Sequence, residues 1–280
     1  MKIIPAKRIT EVVSRLCIQA NRHLPSDVKR CIERMRSEET WPMAQDGLDK
    51  IIDNFNIADS RQTPVCQDTG MACVFLEIGQ EVFIEGDINA AVDDGVRKGY
   101  AEGYLRKSVV EDPLRRKNTG DNTPALLYID YVQGNNITVT VAPKGFGSEN
   151  MSRVAMLRPS DGAQGVIDFV VETVDIAGPN PCPPIVVGVG IGGSFDKAAL
   201  IAKKALLRSF EQRSPDPYYA EMEAEILAKV NALGIGPQGF GGKTTALNVA
   251  VEAMPTHIAG LPCAVNINCH VARHATEVIE

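Results

Sequence analysis

The stretch IVVGVGIGGSFDKAALIAKKALLR, residues 185–208, decides how this chain is built. Its first seven residues carry no polar side chain, the pattern of a strand buried on both faces. SFDKAALIAKKALLR follows as a helix capped by Ser194. A buried strand running straight into a helix is the unit of α/β layering. The run Gly188-Val189-Gly190-Ile191-Gly192-Gly193 also matches G-x-G-x-x-G, in the strand-then-helix setting of a dinucleotide site. The acid expected roughly 20 residues on, at the end of a second strand, fails to appear. Glu211 falls instead in the loop-like SFEQRSPDP. Close helix–strand packing, or backbone lining a site, explains these glycines better.

Working outward, the same alternation continues on both sides. GAQGVIDFVVETVDIAG precedes the strand as a helix, and PYYAEMEAEILAKVNALG follows as another, stopped by Gly234. TTALNVAVEA and CAVNINC are strands. Toward the N-terminus, MACVFLEIG is a strand, residues 87–103 a helix with Ala and Gly on one side, and LLYIDYVQGNNITVTVAP two strands joined by a turn at Gln133-Gly134-Asn135-Asn136. Residues 8–24 place Ile9, Val12, Val13, Leu16 and Ala20 at helical spacing. Ser26 opens a second helix with a Val28, Cys31, Ile32, Met35 stripe, and residues 43–58 form a third. The expected fold is α/β, with mixed sheets flanked by helices and a helical N-terminal segment. No repeat or long linker divides residues 1–280, which are expected to form one catalytic domain, with residues 1–60 a candidate helical subdomain.

A second decoy is PQGFGGKT, residues 237–244, nearly a phosphate-binding G-x-x-x-x-G-K-[ST] loop. Pro237 replaces the first Gly, a helix precedes it and a strand follows, so both flanks are reversed. A tight turn, or a loop near a small anion with Lys243 available, accounts for it. Net charge is −6, with 35 acidic against 29 basic residues, which disfavours nucleic acid and anionic membranes as partners. MKIIPAKRIT lacks a signal-peptide apolar run, and no stretch approaches the ~18 apolar residues of a membrane span. The cytoplasm is the expected compartment.

Seven cysteines in such a chain argue against a disulfide framework. Cys17 and Cys31 sit on apolar helix faces, and Cys73 and Cys263 in or beside strands, so packing explains them. Cys66 in PVCQDTG, Cys182 in NPCPP and Cys269 in NINCHVARH differ, because Pro, Asp, Asn and Gly around them favour irregular backbone. Three thiolates from separate loops can hold three irons of a cubane cluster and leave a fourth open to substrate. Asp68, two residues from Cys66, could then relay a proton, and His257 could tune it. A turn residue and a solvated imidazole are the plainer alternatives.

VCQDTG, KGFGSEN, NPCPPIVVGVGIGG, LGIGPQGFGGKTTAL, THIAGLP and NINCHVARHA closely resemble, in the same order, the alpha subunit of the two-subunit class I iron–sulfur fumarases. The related L-tartrate dehydratase alpha subunit shares CQDTG, CPP, GVGI and GIGPQG, while GFGGKTTA and CHVARH point to the fumarase branch. The resemblance implies a [4Fe-4S] cluster on Cys66, Cys182 and Cys269, whose open iron is the Lewis acid. It implies substrate contacts from Gln67, Arg106, Gly145 and Gly147, and catalytic roles for Asp68 and His257. Phe146 departs from a three-glycine version of the motif, so both glycines stay candidates. No family role attaches to His270 or His274. The implied activity is reversible hydration of fumarate to L-malate, a step of the tricarboxylic acid cycle. The implied partner is a fumarase beta subunit in an alpha–beta hetero-oligomer, because the single-chain relatives continue past the equivalent of Glu280. A tartrate or other 2-hydroxy-diacid dehydratase, and a non-catalytic cluster-binding subunit, are the alternatives.

Overall fold

A computed structural model describes residues 2–280. In chain order the elements are β1 (Lys2–Pro5), α1 (Ala6–Arg22), α2 (Ser26–Glu38), α3 (Pro42–Arg61), β2 (Met71–Gly79), β3 (Val82–Glu85), α4 (Ile88–Glu102), β4 (Leu126–Val132), β5 (Ile137–Lys144) and α5 (Phe146–Glu149). Then follow β6 (Arg153–Leu157), α6 (Gly162–Ala177), β7 (Ile185–Gly193), α7 (Phe195–Ala205), α8 (Pro217–Ala232), β8 (Ala246–Thr256), β9 (Leu261–Asn268) and β10 (Ala275–Ile279). The mixed α/β class and the N-terminal helices are as the sequence indicates. The chain forms two compact units. The first takes the residues up to Pro25, Phe55–Phe146 and Arg273–Glu280; the second takes Ser26–Asn54 and Gly147–Ala272. No helix among the described residues is long and apolar enough to cross a membrane.

In the first unit a sheet of order β10-β5-β2-β4 is covered by α1 and α4, beside a small β1-β3 pair. Alternate residues face the helices: Ala72, Val74, Leu76 and Ile78 of β2, and Ile137, Val139 and Val141 of β5. They meet Val13, Leu16 and Cys17 of α1 and Val92, Val96 and Tyr100 of α4. The small residues of α4 let α1 approach closely. A Cβ on Gly95 would stand 2.7 Å from Val13 Cβ, and one on Gly99 2.7 Å from Ser14 O.

The two strands read in residues 126–143 both form, as β4 and β5, but they do not pair with each other. β2 lies between them, parallel to β4 and antiparallel to β5. Burial decides this. β2 is buried at every position except Met71 and Glu77 and needs neighbours on both edges, whereas β4 is exposed from residue 129 onward and takes the sheet edge. The turn at 133–136 is tied instead to the end of β2, through Gly79 N to Asn136 O (2.9 Å) and Glu81 N to Gly134 O (3.0 Å).

In the second unit a sheet of order β6-β9-β7-β8 is sandwiched between helices. Val166, Val170 and Val174 of α6 and Ile226 and Val230 of α8 pack on Val187, Val189, Val251 and Val265. Ala198 and Ala202 of α7 pack on Ala264 of β9. β7 is the buried strand the sequence promised, and its glycines are packing devices. A Cβ on Gly188 would fall 2.1 Å from Ala202 O, and one on Gly190 2.1 Å from Ala198 O. Ser194 does stand at the N-cap of α7, but its hydroxyl donates to Asp196 Oδ1 (2.5 Å) and accepts no backbone N–H. Gly190→Ala should therefore cost about 1–3 kcal/mol of stability by overpacking. Urea unfolding measures it, and an unmoved midpoint would mean that α7 does not lie this close to β7.

Candidate active site

The segment between α3 and β2 carries the first group of candidates. Gly70 ends it with φ +71, and a Cβ there would stand 2.6 Å from Lys144 O, so only glycine fits. This approach brings CQDTG against the start of KGFG. Asp68 is fixed as a result. Its Oδ1 accepts from Gly70 N at 3.1 Å and its Oδ2 from Phe146 N at 3.0 Å. Its own N–H donates to Cys66 Sγ at 3.4 Å, which puts thiol and carboxyl on one turn. Both residues are half-buried, while Gln67 between them is exposed, its Oε1 accepting from the thiol at 3.4 Å. Arg106 is exposed in the loop after α4, and its carbonyl accepts from Thr69 Oγ1 at 2.7 Å. Gly145 adjoins Asp68, since a Cβ there would stand 3.1 Å from Oδ2. Gly147 opens the second unit and has no atom within 4 Å of where its Cβ would be.

The second unit carries the other thiols. Cys182 is exposed, with φ +56, in a turn closed by its N–H on Pro179 O (3.1 Å). Cys269 is half-buried directly after β9. The residue that joins their loops is His270, whose Nδ1 lies 3.0 Å from Cys182 O. A carbonyl can only accept, so this contact is a hydrogen bond in the tautomer with its proton on Nδ1, while Gln238 Nε2, itself a donor, stands 3.4 Å from the same nitrogen. Gln238 braces the Cys182 side of this link, donating from both its backbone N and its Nε2 to Pro183 O, each at 2.8 Å. The link through His270 escapes the sequence because it joins positions 88 apart. His257 is exposed in the turn after β8 and accepts from Ala259 N at 3.2 Å on Nδ1, which leaves Nε2 as the protonated nitrogen of the neutral ring.

None of the seven cysteines forms a disulfide. Cys17, Cys31, Cys73 and Cys263 are buried, and burial pushes the thiols of Cys17 and Cys263 up to about 12, far from thiolate formation at neutral pH. The three loop cysteines are the ones solvent reaches. Among the described residues, no three or more His, Cys, Asp or Glu side chains are arranged for a metal ion. Cys66 belongs to the first unit and Cys182 and Cys269 to the second. The donor set fits an iron–sulfur cluster in kind: reachable, soft sulfur ligands on irregular backbone.

The phosphate-loop lookalike is accounted for by packing. Its Lys243 N donates to Glu39 Oε2 at 2.8 Å, and Thr244 Oγ1 lies 3.4 Å from the same oxygen. Thr40 N and Trp41 N donate to Glu39 Oε1. A phosphate would have to displace this carboxylate. The end of KGFGSEN is likewise structural, for Glu149 takes Lys203 Nζ at 2.6 Å and Asn266 Nδ2 at 2.7 Å.

The first unit thus sets a thiol beside a carboxyl on one turn, and the second unit carries two further solvent-reached thiols on loops. Residues 10–278 match the family described as Fumarate hydratase (Fumerase). The chain is 43% identical over 280 residues to "Putative L(+)-tartrate dehydratase subunit alpha" of Methanocaldococcus jannaschii, covering 98% of each. It is 31% identical over 272 residues to the L(+)-tartrate dehydratase subunit alpha of Escherichia coli strain UTI89, covering 96% of this chain and 90% of the relative. For the K12 strain's subunit the identity is 30% over 275 residues, with 97% and 91% covered. These matches define a hydro-lyase. The chain belongs to the fumarate hydratase (Fumerase) family, in its group of fumarase and tartrate dehydratase alpha subunits. The relatives' names give tartrate where the motif resemblance gives fumarate.

Glu39 provides a pH test of the loop reading. Burial raises its pKa, but the donors from Trp41, Lys243, Thr40 and Thr244 outweigh burial and hold it below the ordinary 4.5. A lowered folded value means stability that is fully present above about pH 4.5 and lost as pH falls through the folded value. Glu39→Gln should therefore cost about 1–3 kcal/mol at pH 7. In urea unfolding, the gap from the parent chain should shrink below pH 4.5; a gap independent of pH would contradict the assignment.

Proposed function

We propose that this chain is the cluster-bearing alpha subunit of a hydro-lyase that interconverts fumarate and L-malate. Cys66, Cys182 and Cys269 hold a [4Fe-4S] cluster in this reading, and Asp68 carries the proton. The observation that carries it is the Cys66–Asp68 turn, with the Asp68 N–H on the sulfur and both carboxylate oxygens fixed by backbone donors. The tie between the Cys182 and Cys269 loops through His270 supports the ligand set. A cluster on three thiolates supplies, when bound, a Lewis-acidic iron without a protein ligand.

The chain's own residues do the rest. Dehydration of a 2-hydroxy diacid removes a proton from C3, taken in this reading by a base on the beta chain, and hydroxide from C2, which leaves only if it is protonated. Asp68, held in one orientation by Gly70 N and Phe146 N, delivers a proton to the departing oxygen. Arg106 offers a planar fork to a substrate carboxylate, and the exposed Gln67 amide offers a donor and an acceptor. Gly145 and Gly147 present backbone without a side chain in the way. His257, whose Nδ1 accepts from Ala259 N, keeps Nε2 to donate and is the second catalytic candidate in this reading. L-tartrate is the second reading, favoured by the names of the relatives. It differs from malate by a hydroxyl at C3, so both need the same anchors.

A beta chain completes the site. Tyr104 and Leu114, on the segment that bears Arg106, are 90% and 89% exposed, and Ile258, next to His257, is 92% exposed. Apolar surface beside charged candidate residues is the kind a partner covers.

Iron content per chain should fall sharply in Cys66→Ser, Cys182→Ser and Cys269→Ser after anaerobic reconstitution, and stay at the parent level in Cys17→Ser. Parent-level iron in Cys182→Ser would refute the three-thiolate set. Asp68→Asn should keep its iron and lose on the order of 10²-fold in turnover; near-normal turnover would remove Asp68 from the reaction. Assayed anaerobically on L-malate and L-tartrate, alpha alone should be nearly inactive and alpha with beta active. A preference for tartrate would select the second reading, and full activity from alpha alone would defeat the split site.

A further inference from the structure

The Asp68 turn is gripped from behind. Three consecutive main-chain carbonyls, of Asp68, Thr69 and Gly70, each accept from a buried side chain that comes from a distant part of the sequence. Arg273 Nη2 donates to Asp68 O. The Tyr100 hydroxyl donates to Thr69 O at 2.6 Å and lies 3.1 Å from Gly70 O. Asn122 Nδ2 donates to Gly70 O at 3.1 Å. Tyr100 and Asn122 have no exposed surface and Arg273 only 4%. Each of these groups gave up hydration to be there, and the turn's carbonyls are what they received in exchange.

Asn122 does more than grip. Its Oδ1 accepts from Ser108 N at 2.7 Å, two residues beyond Arg106, while Thr69 Oγ1 donates to Arg106 O at 2.7 Å. The segment that bears Arg106 is thus fastened to the Asp68 turn at two points. The backbone of Asn122 sits at φ +66, a conformation Asn tolerates better than most residues. Among the described residues, Arg273 makes no bond from Nε or Nη1. A buried guanidinium held mainly to one carbonyl is poor for stability, which argues for a task other than packing. Burial keeps the Tyr100 phenol protonated well above the ordinary range, so it stays a donor at neutral pH.

We propose that Asn122, Tyr100 and Arg273 are positioning residues that lock the Asp68 turn and the Arg106 segment together. The proton carrier and the carboxylate-binding fork then keep a fixed relation through the reaction. This rests on the roles proposed above for Asp68 and Arg106. All the groups belong to the first unit. None touches the substrate in this account; they act through the backbone they hold.

The test uses the full chain with Asn122→Gly, which removes the bridge while allowing the left-handed backbone, and Tyr100→Phe, which removes one oxygen and keeps the ring. In the cluster-free chain, alkylation of Cys66 by iodoacetamide, followed by mass spectrometry, should quicken by roughly tenfold in each variant, because a lost buried hydrogen bond loosens the turn. Cys182, in the other unit, should react at the parent rate. In the reconstituted alpha–beta complex, kcat should fall by on the order of 10²-fold while iron per chain stays at the parent level. Unchanged Cys66 alkylation in a folded Tyr100→Phe chain would overturn the clamp, and Tyr100→Phe alone decides if Asn122→Gly does not fold. Faster alkylation with kcat and KM both unchanged would overturn the positioning role. A parent complex that converts no diacid, with the alkylation result as expected, would support the clamp and overturn the functional reading beneath it.

Discussion

Much of the first unit depends on one close approach. Gly70 lies against the backbone of Lys144, nearer than any side chain would allow. That contact starts the β2–β5 ladder, in which Met71 pairs with Lys144 and Cys73 with Ala142. It sets the register that turns Ala72, Val74, Leu76 and Ile78 toward α1 and α4, for a slip of one residue would send them to the other face. It also delivers Phe146 N to the Asp68 carboxylate. Core and candidate site share one cause, so damage at Gly70 would reach both.

Glycine has the same use in the second unit, where Gly188 and Gly190 admit the backbone of α7 to β7. Two motifs that resemble nucleotide loops are therefore packing solutions. In one the glycines face a helix; in the other the N–H of Lys243 faces a carboxylate of the chain itself. The local letters are those of phosphate-binding loops, but the groups that a phosphate would need are occupied.

This shows where sequence reading works and where it stops. Periodicity exposed α1, α2, α3, α4, α6, α7 and α8, along with the long strands, because each buries a continuous face. The buried state of Cys17, Cys31, Cys73 and Cys263, and the open state of the loop cysteines, followed from their flanks. β1, β3, β6 and β10 were not legible, being four or five residues long and defined by distant partners. Both strands flanking the turn at 133–136 are legible, but their partner is not, since adjacency in sequence says nothing of a third strand inserted between. Tyr100, Asn122 and Arg273 left no local signal either. They meet at one turn only when positions 31 to 205 residues apart are brought together.

The candidate residues and their supports have opposite environments. Gln67, Arg106, Cys182 and His257 are exposed, while Tyr100, Asn122 and Arg273 behind the Asp68 turn are buried. On the proposed function, a firm back serves geometry, because a misplaced proton donor is costly to an elimination. An open front does not serve the chemistry by itself. Charge that develops as hydroxide leaves is best stabilised by fixed dipoles with bulk water excluded. On the proposed function, side chains this exposed acquire that environment only under a covering surface. Tyr104, Leu114 and Ile258, apolar and some nine-tenths exposed beside them, are suited to meet it. On the proposed function, the buried clamp behind the Asp68 turn supplies the geometry, and a partner chain would supply the exclusion of water.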